Sequence, residues 1–244
     1  DYNTSVVFAT ATQPAFDMLD NAVRKYAVSG WQPQEIVPGH ADMFRRLERV
    51  KAYWPAQDEA LTWDELATTL RNDTSAQVLC VLNLKRHAQA LLKAMAGTEG
   101  LFHLSTNLCT SHRRAVLDEV RTRLDPAKPM PCRLVSTQCV EAGVDLDFPL
   151  VYRAMAPLEA VAQAAGRCNR EGRLNQQGKL GKVRVFEPEL DTSERKRMFP
   201  NFAYFQATEI TASLLRECGG ELDINDRIVF RRYYQALYGV SRPV

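Results

Sequence analysis

The chain has 244 residues, 45% of them hydrophobic, and a formal net charge of +2. This is enough apolar material for one large or two small domains with a packed core, and too little charge to mark a nucleic-acid binder by bulk electrostatics. The six cysteines form no CxxC pair, which excludes zinc-ligand spacing and favours reduced thiols in a cytoplasmic protein; no apolar run approaches transmembrane length, so no membrane partner is expected.

In chain order, Val6-Val7-Phe8-Ala9 reads as a buried strand. It ends in Thr10-Ala11-Thr12-Gln13-Pro14, and a helix with Phe16, Leu19, Ala22, Val23 and Tyr26 in period follows. Gln34 to Val37 and Arg49 to Trp54 read as short strands. Thr62-Trp63-Asp64-Glu65 has capping-box form and predicts a helix to about Arg71. Strands are then expected at 77–82, 101–104, 133–135, 149–154 and 182–186. Helices are expected between them at 85–95, at 111–124 behind a Thr110 cap, around 138–142, and from Pro157 at the first helical position. Strand–helix alternation at this spacing predicts an α/β fold with a doubly wound, mainly parallel sheet. After Pro188 the composition changes to a charged linker and two helices, near 202–218 and 228–238.

The basic residues are unevenly spread. Between Gln163 and Phe186, six Lys or Arg stand against one acid, Glu171, as expected of a phosphate-facing segment. Leu158, Val161, Ala162 and Ala165 give the helix one buried stripe. Gln163, Gly166, Arg167 and Arg170 share another face if the helix persists that far. Two guanidiniums converging on one anion is one meaning of that spacing; arginines complementing the dipole at a helix C-terminus is the other.

Ligands of open α/β sheets bind beyond the carboxyl ends of the strands. After the 133–135 strand, Ser136 or Thr137 would cap a short helix that Gly143 stops in a left-handed conformation, with Asp145 aimed at the same mouth as the arginine helix. After the 101–104 strand come Ser105, Thr106 and Asn107, then Thr110, His112 and Arg113 at a helix start, which together suit a phosphate. Thr10 and Thr12 stand at a further strand end. The sequence contains no Gly-x-x-x-x-Gly-Lys-Ser/Thr loop, no metal-nuclease cluster and no Ser-His-Asp arrangement.

Together these segments resemble a known pattern. Thr10-Ala11-Thr12 resembles motif III of superfamily 2 helicases, Ser136 to Asp147 resembles motif V, and Gln163 to Arg170 resembles motif VI. Their wording, with His103 to Asn107, is similar to the helicase–nuclease of type I CRISPR systems, over roughly Thr4 to Glu187. The resemblance implies a RecA-like lobe with a short C-terminal helical extension. It implies that Arg170 is an arginine finger and Arg167 its companion, with Gln163, Gly143 and Asp145 at the nucleotide. It also implies that Thr137, Ser105, Thr106 and Arg113 contact single-stranded DNA, and that Thr10 and Thr12 form a coupling motif. ATP and magnesium would be held mainly by a first lobe, and a nuclease metal by another domain, on the same or a separate polypeptide. The CRISPR RNA-guided surveillance complex would be a further partner. Residues 1–14 are expected to close that first lobe, 15–188 to be the second lobe, and 189–244 to begin a linker and helical extension. The competing expectations are a non-catalytic regulatory fragment and a lobe of another superfamily 2 DNA or RNA motor.

Overall fold

A computed structural model describes residues 48–57, 59–141, 143–189 and 197–240, together with the isolated residues 7, 25, 36 and 37. Thr10 and Thr12, nearly all of the strands and the helix expected before residue 38, and the charged linker after residue 190 lie outside the described residues.

The described strands are β1 (Val50–Tyr53), β2 (Ala60–Leu61), β3 (Gln77–Val81), β4 (Leu101–Leu104), β5 (Cys132–Ser136), β6 (Leu150–Ala154) and β7 (Gly181–Pro188). They form a sheet of order β1-β7-β6-β3-β5-β4, with β2 pairing the end of β7 through Ala60 and Glu187, and every ladder is parallel. The central strands are the apolar runs. Val78 to Val81 and Leu150 to Ala154 are buried throughout, because helices cover both faces of a parallel sheet.

Alternation sorts these side chains into two layers. Val78, Cys80, Val135, Leu150, Tyr152 and Phe186 pack against Leu66 and Leu70 of α1 (Trp63–Asn72) and Ala88 and Leu91 of α2 (Lys85–Ala94). Leu79, Val81, Leu134, Val151 and Val183 face the other way. There they meet α3 (Thr110–Arg123), α4 (Leu158–Ala165), α5 (Phe202–Glu217) and α6 (Arg227–Val240). The last two helices are part of this core: Leu214, Leu215, Phe230, Tyr233 and Tyr234 are buried in the same cluster as the strands. Trp54 Nε1 donates to Leu222 O at 2.8 Å, which ties the chain after β1 to the connection between α5 and α6.

Local chemistry sets most boundaries as expected. Thr62 and Glu65 form a reciprocal capping box at α1. Four expectations need correction. Cys109, not Thr110, is the N-cap of α3, and no side chain caps it. The helix expected at 138–142 is a 3-10 turn over Gln138–Val140; the Ser136 hydroxyl donates to Leu104 O at 2.9 Å and to Thr137 O at 3.0 Å, and so caps nothing. Pro157 is the N-cap of α4 and not its first helical residue. Finally, α4 ends at Ala165, so Arg167 and Arg170 are not on a helix.

Candidate functional site

The residues of motif VI leave α4 through Gly166 and enter a turn fixed by the sheet. Phe148 N–H donates to Arg167 O at 2.9 Å and Asn169 N–H donates to Phe148 O at 2.8 Å, forming a short parallel bridge just before β6. Asn169 is left-handed at φ 47°, a conformation asparagine tolerates better than most side chains. Its amide fastens the turn, donating to Arg49 O at 2.9 Å and Asn175 Oδ1 at 2.6 Å while accepting from Leu174 N–H at 2.9 Å. Cys168 is buried beside it, its thiol pushed up by burial. A Cβ at Gly181 would lie 2.6 Å from Cys168 Sγ and 2.8 Å from Asn169 Cβ. Gly181→Ala should therefore displace this turn and destabilise the chain by about 1–3 kcal/mol. A urea titration reads that loss; an unchanged midpoint would mean the turn is not fixed here.

The two arginines have different surroundings. Arg167 is buried, and its Nε and Nη2 donate to Val140 O at 3.0 Å and Glu141 O at 2.7 Å. It thus ties motif VI to the end of the 3-10 turn in motif V; burial and the neighbouring Arg170 charge lower its pKa. Arg170 is on the surface, 40% exposed, with Nε 3.0 Å from Asp145 Oδ1, and Asp145 is 74% exposed. Asp147 accepts from the backbone N–H of Arg170 at 2.7 Å and of Glu171 at 3.3 Å, and pairs with Arg173 at 3.6 Å. Gln163 is exposed on α4 one turn earlier. Gly143 is left-handed at φ 70° with open space where a Cβ would stand, so backbone conformation alone favours glycine there.

These residues do not sit where the carboxyl-end rule placed them. Asp145 and Arg170 meet, but next to Phe148 and Arg49, which precede β6 and β1, and Gly181, which opens β7. Helix α4 runs back along the sheet from the end of β6, and the loop after β5 descends to the start of β6. The arginine turn is therefore at the amino edge of the strands.

The other expected contacts remain at the carboxyl edge. Ser105 is fully buried, its hydroxyl engaged by His103 Nε2 at 2.8 Å and by Asn107 N–H at 3.3 Å, so it shapes the turn after β4. Thr137 is buried and its N–H donates to Leu104 O at 3.2 Å, which joins the ends of β4 and β5. Thr106 is exposed. Arg113 is half-buried on the first turn of α3, and its Nε has no hydrogen-bond partner among the described residues. The candidate residues thus form two groups, one at each edge, joined by the loop from Thr137 to Asp147.

One cluster was not singled out from the sequence. Arg153, on β6, is fully buried and pairs with Glu141 of motif V at 3.0 Å. Its Nη1 donates to Asn83 Oδ1 at 2.7 Å and to Ala154 O at 3.1 Å, and its Nη2 to the Tyr204 hydroxyl of α5 at 2.7 Å. Burial pushes the Glu141 carboxyl above its ordinary pKa, although Arg153 beside it pulls the other way. The available signal was an arginine inside the apolar run Leu150 to Ala154, since a charge on a strand covered on both faces requires partners.

A parallel sheet of this order, flanked by helices on both faces, defines a RecA-like fold. Residues 74–173 match the family model described as CRISPR-associated nuclease/helicase Cas3, C-terminal, and both motifs lie within them. The CRISPR-associated nuclease/helicase Cas3 of Haloferax volcanii is 38% identical over 106 residues, which are 43% of this chain and 11% of that protein. The crystal structure of T. fusca Cas3-AMPPNP has the same fold, with a TM-score of 0.58 at 20% identity over 84% of this chain and 25% of that one. A chain of the structure described as a CRISPR RNA-guided surveillance complex, pre-nicking, gives a TM-score of 0.52 at 24% identity over 79% of this chain and 24% of that one. The resemblance to the second RecA-like lobe of the type I CRISPR helicase–nuclease is thereby supported by sequence as well as fold. The matched segment is a small part of those longer relatives.

Proposed function

We propose that this chain is the second-lobe part of an ATP-dependent translocase on single-stranded DNA, coupled to DNA degradation in CRISPR interference. The observation that carries the reading is Arg170. Its Nε is engaged by Asp145 on a turn pinned to the sheet, while neither Nη has a protein partner among the described residues. Such a guanidinium suits the anionic oxygens of a transferring phosphoryl group. Gln163, Gly143 and Asp145 border the same nucleotide, and Arg167 acts by holding motif V against motif VI. ATP, bound with magnesium mainly by a first lobe, supplies the phosphoanhydride whose cleavage drives the cycle. The nuclease metal belongs to a further domain.

The DNA track runs along the carboxyl edge. Thr106 and Arg113 meet backbone phosphates there, on a surface shaped by Ser105 and Thr137. Thr10 and Thr12 couple the two events. Movement is three-prime to five-prime. The relative described within a surveillance complex makes an RNA-guided complex the natural partner. No helix among the described residues is long and apolar enough to cross a membrane, and a cytoplasmic setting fits a DNA-degrading role.

The test is reconstitution. Mixing this chain with a P-loop-containing first lobe should yield ATP hydrolysis stimulated by single-stranded DNA. Retained DNA binding without hydrolysis would favour a regulatory fragment, and stimulation by RNA alone would assign the lobe to another superfamily 2 motor.

A further inference from the structure

The buried cluster around Arg153 joins three parts of the chain that have no other reason to share a charge. Glu141 comes from motif V, Asn83 from the loop after β3, and Tyr204 from α5 beyond the sheet. The contacts are mutual. The Tyr204 hydroxyl donates to Asn83 Oδ1 at 3.1 Å, Asn83 Nδ2 donates to Met155 O at 2.8 Å, and Gln138 of motif V donates to Asn83 O at 2.7 Å. A second tyrosine, Tyr233 of α6, is buried beside Glu159 in the first turn of α4, and burial together with that carboxylate raises its pKa. On its other side, Glu141 is held by its backbone: its carbonyl is the acceptor for Arg167. A continuous path of polar contacts therefore runs from Tyr204 through Arg153 and Glu141 to Arg167, three residues before Arg170.

Stability alone gives a poor account of this arrangement. A buried ion pair is often no more stabilising than apolar side chains of the same volume, and α5 already has Leu214 and Leu215 to anchor it. What the polar path adds is direction. It brackets Glu141, whose carboxylate faces the Arg153 guanidinium and whose carbonyl, with that of Val140, carries Arg167. Groups linked in this way act as a unit and couple non-additively.

We propose that Tyr204 and Arg153 are positioning residues through which the C-terminal helical pair sets the motif V turn and, by way of Arg167, the placement of Arg170. This rests on the function proposed above. It makes the extension a determinant of ATP turnover through residues that the proposed function does not place at the nucleotide.

Tyr204→Phe tests it in the full-length enzyme, because it removes one hydroxyl and leaves the ring in place. Its kcat for DNA-stimulated ATP hydrolysis should fall about tenfold with KM for ATP held within about twofold, at an unchanged melting temperature. Amide exchange across 138–147 should accelerate. Glu141→Gln should show the same loss of kcat and faster exchange, with a lowered melting temperature because it leaves Arg153 without its counter-charge, and the double variant should lose less kcat than the product of the two single losses. Leu214→Ala, on the same helix but off the path, should lower the melting temperature without that loss of kcat. A Tyr204→Phe enzyme with wild-type kcat, or a loss that Leu214→Ala matches, overturns the proposal. If the wild-type enzyme itself shows no DNA-stimulated hydrolysis, the functional reading fails instead. Exchange at 138–147 then decides the linkage alone: acceleration in Tyr204→Phe supports it and unchanged exchange overturns it.

Discussion

If the proposed function holds, Arg170→Ala should lower DNA-stimulated ATP turnover of the two-lobed enzyme by about 10³-fold or more, the range over which an arginine finger acts. ATP binding should persist, because the guanidinium contributes most to the charge that develops as the phosphoryl group transfers. Steady-state hydrolysis alongside nucleotide-binding titration separates the two effects. Arg170→Lys should recover little, since an ammonium cannot keep one nitrogen on Asp145 while offering two more to an anion. Arg167→Ala should differ in kind. Arg167 is buried on the carbonyls of Val140 and Glu141, so its removal should also lower the melting temperature. A full-rate Arg170→Ala enzyme would remove the finger from the account.

Arg153→Met should cost about 3–5 kcal/mol of stability, read by denaturant unfolding, because it leaves the Glu141 carboxylate buried without its counter-charge. Replacing Glu141 by Met in the same chain should return most of that loss. The single variant also has a pH signature. A carboxyl whose folded pKa lies above its unfolded value contributes stability that is complete below the unfolded pKa and is lost as pH rises through the folded one. Burial already shifts Glu141 upward in the wild type, and losing Arg153 should shift it further. Arg153→Met should therefore be more stable at mildly acid than at mildly alkaline pH, with a steeper dependence than the wild type. A flat profile would mean that Glu141 is solvated once its partner is gone.

Much of the sheet was legible because buried parallel strands write themselves as short apolar runs. The strands expected at 77–82 and 149–154 are Gln77–Val81 and Leu150–Ala154, and the Thr62 capping box marks the start of α1 with equal clarity. The arginine turn was less legible. Gly166 has ordinary right-handed angles, so nothing in the periodicity of α4 says that it stops at Ala165. The stop comes from a tertiary event, the bridging of Cys168 to Phe148. For the same reason the sequence joined Arg167 and Arg170 on one face, whereas the fold buries the first and exposes the second. The edge at which they sit was misjudged because a rule about strand ends does not say how far a crossover loop travels. Ser105 and Thr137 read as phosphate ligands from their hydroxyls, yet both are buried, and burial of a polar side chain in a tight turn leaves no trace in local pattern. Arg153 was visible as an anomaly within its strand, but its side-chain partners Glu141, Tyr204 and Asn83 lie 12, 51 and 70 positions away along the chain.

Because α5 and α6 close the same core as α4, the lobe has no clean seam at its C-terminal side. Ala160, Val161, Leu214 and Tyr233 belong to one packed cluster, and Asn225 reaches back to Val50 O at 3.2 Å. Helical tails of this kind cannot be exchanged freely between relatives as interchangeable parts. A graft from a relative would have to bring matching residues at the ends of β1, β6 and motif V, so divergence in the tail and divergence in the sheet must proceed together.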